Sequence, residues 1–235
     1  MRRIILAISG ASGMPIAATL LRALSLQKDI ELHLIVSTAA ELVLRHEHAS
    51  PEHCAYAHAD HVADRATEAV ADCATESVAD RATGSLAEPV TEHDDINQDV
   101  RALFTLAHMQ HNIMDFSAGP ASGSWRHDGM IVCPCSMSSL ASIATGIGSN
   151  LIHRAADVTL KERRPLILVT RETPLSRVHL RNMLVAAEAG AIIMPPCPAF
   201  YTQPQSIQDI LDHTAGRILD QVNVPHSLGK RWRDG

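Results

Sequence analysis

MIVCPCSMSSLASIATGIGSNLIHRAADVTLKERRPLILVTRE, residues 130–172, decides the fold. Its apolar runs at 130–132 and 166–169 are short and rich in Ile, Val and Leu, as buried strands are. Between them lie a serine-rich turn with Ser136, Ser138 and Ser139, a helical pattern through Leu140 and Ile143, and a second helix over 150–164. Hydroxyls and N–H groups at such a strand-to-helix turn suit a phosphate or the polar edge of a ring. The second helix carries Arg154 and Lys161. Their spacing of seven residues is close to two helical turns, so both cations point to one side, while Leu151, Ile152 and Val158 bury the other. For a helix taken alone, a solvated cationic face is the plain alternative. The flank argues for more. The strand at 166–169 runs directly into Arg171 and Glu172, and a core element has no use for two cations followed by an Arg-Glu pair. An anion-binding catalytic site does.

The N-terminus has the same strand–turn–helix order. Residues 4–8 are apolar, SGASG occupies 9–13, and a helical pattern runs through Ile16, Leu20, Leu21 and Leu24. Pro15 sits in the first turn, where its missing N–H costs nothing. Nucleotide-binding α/β folds open in this way. The turn's N–H groups favour a phosphate, and Ser12 adds a hydroxyl. The turn is neither GxGxxG nor a Walker loop, so by itself it also reads as a plain tight turn. A strand over 30–36 ends in Ser37, where open α/β sheets place ligands; Ser37 equally suits the N-cap of a helix over 38–47 with Leu42 and Val43 inward. A helical pattern then spans 99–110, a strand 113–116, and the loop PASGSW 120–125. Trp125 reads as core packing or as a cap over a planar or prenyl-type ligand. Beyond 172 come a helix over 176–188, a short strand at 191–194 and a proline-dense loop ending on Phe200 and Tyr201. The last helix, 206–222, has Ile207, Ile210, Leu211, Ile218 and Leu219 inward and Arg217 near its end; the tail after Pro225 reads as polar surface. Strands and helices alternating in this way specify an α/β fold, Rossmann-like and three-layered, with a mostly parallel sheet.

One segment breaks the pattern. ADRATEAV, ADCATESV and ADRATGSL, residues 63–86, are three copies of one octad, decaying into AEPVTE. Solenoid units are normally about 20 residues or longer. Here Val70, Val78 and Leu86 drift round a helix by roughly 80° per repeat, so no apolar stripe forms. Residues 48–97 therefore read as an insertion in a single domain over 1–235, the size of one ordinary domain. The six histidines between His46 and His93 lack a Cys partner or regular spacing and read as surface residues, so no metal is expected. A formal net charge of -6 argues against non-specific nucleic-acid binding. Five cysteines without paired spacing suit a reducing compartment, and the Cys133-Pro134-Cys135 run is too tight for zinc and reads as packing. MRRIILAISG lacks the apolar length of a signal peptide, and no run approaches the roughly 20 residues of a membrane span, so a cytoplasmic location is expected.

SGASG, PASGSW, CPCSMSSLASIATG, NLIHRAADVTLKERRPLILVTRE, HLRNM and PAFYTQPQS occur in this order. Together they resemble the flavin prenyltransferase family, the UbiX/Pad1-like partners of UbiD-type decarboxylases, over nearly all of the chain except 48–97. The block from Arg154 to Glu172 is the specific part. The resemblance implies a flavin-dependent decarboxylase-like fold, with FMN bound in reduced form as a substrate. It implies transfer of a dimethylallyl group from dimethylallyl monophosphate to flavin N5 and C6, giving prenylated FMN without a metal. FMN contacts are implied at Gly10, Ala11, Ser12, Ser37, Ser136, Met137, Ser138, Ser139 and Arg171. Donor-phosphate contacts are implied at Lys161, Tyr201 and Arg217, with Arg154 nearby. Glu172 matches an acid/base glutamate and Glu47 a second carboxylate near the donor. A homododecamer with active sites at subunit contacts is implied too, with a UbiD-type decarboxylase as recipient of the product.

Physical chemistry agrees with those roles. Negative charge builds on the departing phosphate, and preorganised Lys and Arg stabilise it. Arginine offers a bidentate fork and lysine a point charge. Ring closure releases a proton from C6, to Glu172 or to the released phosphate. A carbocation-like prenyl group wants a dry aromatic pocket, for which Trp125 and Tyr201 are the candidates. Two other readings stand beside this one. A cysteine-type FMN decarboxylase needs an N-terminal histidine and a PxMNxxMW motif; the first 32 residues hold no histidine, and PLSRVHLRNM occupies the comparable region. A non-catalytic flavin-binding subunit would have no need of Lys161, Glu172, Tyr201 and Arg217.

Overall fold

The structure is a computed structural model and describes residues 1–48, 102–229 and 231–232. Its strands are β1 (Arg2–Ile8), β2 (Ile30–Val36), β3 (Met109–His111), β4 (Gly129–Cys135), β5 (Leu166–Thr170) and β6 (Ile192–Ile193). Its helices are α1 (Met14–Ser25), α2 (Thr38–His48), α3 (Met137–Thr145), α4 (Leu151–Lys161), α5 (Arg177–Glu188) and α6 (Ile207–Gln221), with single 3-10 turns at Gly119–Ala121 and Phe200–Thr202. The strands lie in the order β3-β2-β1-β4-β5-β6, every neighbouring pair parallel. The chain moves outward from β1 to β3 and then returns to β4 on the other side of β1. That reversal opens a crevice beyond the C-terminal ends of β1 and β4, where ligands bind in open α/β sheets.

Side chains alternate along each strand and so feed two cores. Ile4, Leu6, Leu32 and Leu34 meet Leu20, Leu21 and Leu24 of α1, Leu44 of α2, and Ile218 and Leu219 of α6. On the other face Ile5, Met130, Val132, Leu166 and Leu168 meet Leu140 and Ile143 of α3 and Leu151, Ile152 and Ala155 of α4. Both faces are covered, so the inner strands are apolar without interruption, and this made them legible in sequence. Cys133 and Cys135 are buried; burial pushes both thiols up, Cys135 to about 12, which fits the packing reading. The helices start on side-chain caps: Ser136, Asn150, Ser176 and Ser206 each accept an N–H from their own first turn.

The structure corrects several boundaries. The third strand is β3, not 113–116. Asn112 accepts the Met114 N–H at 2.9 Å and Asp115 the Ser117 N–H at 2.9 Å, and these side-chain-closed turns take 112–118 out of the sheet. In the 99–110 pattern only 102–104 is helical among the described residues. Leu42 points outward at 55% exposure, and Leu44 takes the core position instead. Ile207, at the mouth of α6, is 69% exposed. The tail after Pro225 is not all free surface: the His226 side chain is buried and its ring packs on Gly216 of α6, where a Cβ would come within 2.7 Å of it. Most of the expected insertion, with its octads, lies outside the described residues. No helix among the described residues is long and apolar enough to cross a membrane.

Candidate active site

Four loops converge at the C-terminal edge of the sheet. Ser9 donates its hydroxyl to Pro134 O at 2.9 Å and accepts the Ser136 N–H at 2.8 Å, fastening the first turn to the end of β4. Gly10 has to be glycine, because a Cβ there would lie 2.5 Å from Ala39 Cβ at the start of α2. Gly13 closes the turn at φ 117, in the left-handed region open to glycine. Glu47, near the far end of α2, accepts the N–H groups of Gly13 at 3.0 Å and Met14 at 2.9 Å. One helix thus caps another, with a carboxylate at the positive end of α1. Ser37 accepts the Ala40 N–H at 3.1 Å and caps α2, while its own N–H donates to Ile8 O at 3.0 Å.

Across the crevice, the Ser136 hydroxyl accepts the Ser139 N–H at 3.2 Å, and helix geometry leaves the N–H groups of Met137 and Ser138 without an intrahelical acceptor. Arg171 leaves β5 and donates Nε to Ser12 O at 3.2 Å, joining the end of β5 to the first turn. Glu172 is exposed beside it and accepts the Thr173 N–H at 3.1 Å. Gly10, Ala11, Ser12, Ser37, Glu47, Ser136, Met137, Ser138, Ser139, Arg171 and Glu172 therefore gather at one edge of one chain. Their N–H groups, hydroxyls and single guanidinium suit an anionic ligand with a polar planar edge. Thr170, buried at the end of β5, has an Oγ without a protein partner among the described residues. Such an orphan is a further polar group for a ligand to satisfy. FMN, with its phosphate and heteroatom-rich ring, fits this donor set.

The donor-phosphate candidates lie elsewhere. Lys161 ends α4, and Pro165 O just beyond it accepts the Met130 N–H at 2.9 Å, at the start of β4 and β5. The length of β5 separates it from Glu172, about 16 Å at 3.3 Å per residue. Lys161 pairs with Glu162, and Arg154 pairs with Asp157 at 2.7 Å while donating Nε to Ala121 O at 3.1 Å. Trp125 belongs to this same outer edge. Its ring stands edge-on to His33 at 4.7 Å, with the Arg3 guanidinium 5.1 Å above it, near the start of β1. It packs, and does not roof the crevice of its own chain.

Tyr201 and Arg217 come together on the opposite face of the sheet, the side of α1 and α6. They share a cleft of about 260 Å³ with Asp220, His226 and Trp232. Tyr201 meets His213 and Trp232 edge-on at 5.9 and 5.1 Å. Asp220 binds Arg217 at 2.9 Å, Arg231 at 2.7 Å and His226 at 3.1 Å. Burial pushes its carboxyl up, but Arg231 and His226 outweigh that and hold it below the usual range. Sequence reasoning passed over Ser9, Arg164, Asp220 and the 226–232 tail. Ser9 was within reach, as the residue between β1 and Gly10; the others carry no local signal. Among the described residues no group of three or more His, Cys, Asp or Glu side chains is placed to hold a metal ion.

A Rossmann strand order with a serine-lined, anion-binding crevice at the switch point defines a nucleotide-binding α/β protein. The comparisons narrow this. The Flavoprotein family matches residues 1–219. Flavin prenyltransferase UbiX of Escherichia coli K12 is 39% identical over 235 residues, covering 99% of each chain. The crystal structure of AnUbiX (PadA1) in complex with FMN and dimethylallyl pyrophosphate is similar with a TM-score of 0.73 and 36% identity, over 100% of this chain and 98% of that one. The dodecameric FMN-dependent UbiX-like decarboxylase of Escherichia coli O157:H7 gives a TM-score of 0.75 and 35% identity, over 99% of this chain and 100% of that one. The chain belongs to the Flavoprotein family and, within it, to the flavin prenyltransferases of the UbiX/Pad1 type.

Proposed function

We propose that this chain transfers a dimethylallyl group from dimethylallyl monophosphate to N5 and C6 of reduced FMN, giving prenylated FMN and free phosphate. The observation that carries the reading is the convergence of the Ser9–Gly13 turn, Ser37, the start of α3 and the Arg171-Glu172 pair on one crevice. The flavin supplies the nucleophilic N5 and C6. In this crevice the N–H groups of the first turn and of α3 hold the flavin's anionic and polar edges. Arg171, braced on Ser12 O, fixes the distance between the two sides. Glu172 stands exposed at the strand end, where it can take up the C6 proton; phosphate retained after the first step is the other acceptor. Glu47 keeps the turn closed around Gly13 and places a carboxylate at its rim.

Departure of phosphate from an allylic carbon requires cations aimed at the leaving group. Within one chain Lys161 and Arg154 are at the edge opposite Glu172, and Tyr201 and Arg217 line a cleft on the other face that includes no residue of the flavin crevice. We therefore place each complete site at a contact between copies, one supplying the flavin crevice and others the cations. A dodecamer is the assembly this reading adopts, in keeping with the dodecameric relative. Exposed apolar side chains on α5, with Val178 at 65% and Leu184 at 59% exposure, supply surface for such contacts. The domain is single, with the octad segment inserted between α2 and β3. We place the reaction in the cytoplasm, with a UbiD-type decarboxylase receiving the product. The test is anaerobic incubation of the purified protein with reduced FMN and dimethylallyl monophosphate. A flavin heavier by one C5 unit supports the reading; bound but unmodified FMN supports the non-catalytic carrier.

A further inference from the structure

Arg164 has no part in the reading above, yet its guanidinium holds three alternate residues of one loop. The side chain is 15% exposed. Nη2 donates to Gly123 O at 3.0 Å, and Nη1 donates to Trp125 O at 3.1 Å and to His127 Nδ1 at 2.8 Å. Since His127 Nδ1 accepts, the ring proton sits on Nε2, which donates to Thr159 Oγ1 at 2.9 Å. The Thr159 hydroxyl in turn donates to Ala155 O at 2.6 Å. The chain of bonds ends on α4, the helix that carries Lys161. The loop is tied to the same helix a second time, by Arg154 Nε on Ala121 O at 3.1 Å. Between these anchors sits Gly123. A Cβ there would come within 2.5 Å of Lys161 Nζ and would also meet the Glu162 carboxylate. The loop backbone therefore rests directly on the Lys161–Glu162 pair.

We propose that Arg164 is a positioning residue for the prenyl-donor half of the site: by gripping the carbonyls of Gly123 and Trp125 it seats the loop on Lys161 and sets where that ammonium points. The proposal rests on the reading of Lys161 as a ligand of the donor phosphate. A lysine ammonium is a point charge on a flexible stem, and it stabilises a leaving group without reorganisation only if its arc is restricted. The planar guanidinium fork restrains two carbonyls at once, which a lysine at the same position cannot do. Its neighbour Arg163, exposed and at φ 54, makes none of these contacts.

The experiment varies donor and reduced FMN separately for Arg164→Ala, Arg164→Lys, Gly123→Ala and Lys161→Ala. Arg164→Ala raises the donor KM by about tenfold, the scale of one lost charge-assisted hydrogen bond, with FMN affinity unchanged. Added guanidinium restores part of the loss, and Arg164→Lys does not. Gly123→Ala raises the donor KM in the same way and folds normally, because the atoms its methyl meets are the flexible ends of Lys161 and Glu162. If Arg164→Ala fails to fold, Gly123→Ala decides. An unchanged donor KM in the folded variants, or a loss of FMN affinity instead, overturns the proposal. Lys161→Ala separates the two levels. Normal donor use by that variant refutes the role of Lys161 itself, and the positioning role falls with it. Impaired donor use there, beside unaffected Arg164 and Gly123 variants, refutes the positioning role alone.

Discussion

Glu47 lies 34 residues from Gly13 in sequence and accepts its backbone N–H at 3.0 Å. The bond ties the last turn of α2 to the first of α1 and draws the glycine turn shut. Removing it leaves the start of α1 without a side-chain cap. Glu47→Ala lowers stability by about 1–2 kcal/mol, the usual cost of a lost cap, and weakens flavin binding through the loosened turn. Glu47→Gln, which keeps one acceptor oxygen, lies between the two. Thermal unfolding with and without FMN checks this; identical melting for Glu47→Ala and the parent contradicts it.

Gly10→Ala tests the close approach of α2. The added methyl meets Ala39 Cβ, which has no flexible end to move aside. Overpacking of this kind costs roughly 1–3 kcal/mol, and under the proposed function the displaced turn holds the flavin less tightly. Titration of FMN by fluorescence quenching shows weaker binding than the parent; unchanged affinity counts against the turn as a phosphate cradle.

The His127 ring gives the fold an acid limit. Burial, then the Arg164 guanidinium on Nδ1, lower its pKa to about 4, with Asp128 opposing, and burial also lowers His33 and His111. Histidine in the unfolded chain titrates near 6.5. Between about 6.5 and 4 the unfolded chain therefore binds more protons than the folded one, so stability is complete above this window and falls as pH drops through it. The melting temperature declines from pH 7 to pH 5, and His127→Gln flattens the slope. A melting temperature independent of pH over this range contradicts the assignment.

How much of this was legible in sequence follows from what each element packs against. β1, β2, β4 and β5 are buried on both faces, so their apolar runs announced them. β3 is an edge strand reading MQH, paired only with β2, and half-exposed side chains gave it no signal; the apolar residues at 113–116 drew the strand reading instead. The crevice at the switch point was readable because strand, glycine turn and helix place it by topology alone. The separation of Lys161 from it was not. Lys161 and Arg171 are ten positions apart and look adjacent, but a helix antiparallel to its strands ends at their opposite edge. Arg163 and Arg164 look equivalent, and only the loop 41 residues away distinguishes them.

With Lys161 as the donor-phosphate cation of the proposed function, Lys161→Ala lowers kcat by about 100- to 1,000-fold, as loss of one preorganised electrostatic contact does, with FMN binding intact. Single-turnover kinetics with saturating donor read this directly, and a kcat equal to the parent's contradicts the clamp.

The division of the site between copies is tested by co-expressing two variants, Lys161→Ala and Glu172→Gln, each impaired alone. Each carries one intact half. Random mixing in a symmetric assembly reunites two intact halves in about a quarter of the sites. The account predicts that mixed oligomers regain prenylated-FMN formation to about that fraction of the parent level. Mixed oligomers no more active than either variant alone would place the whole site within one chain and contradict it.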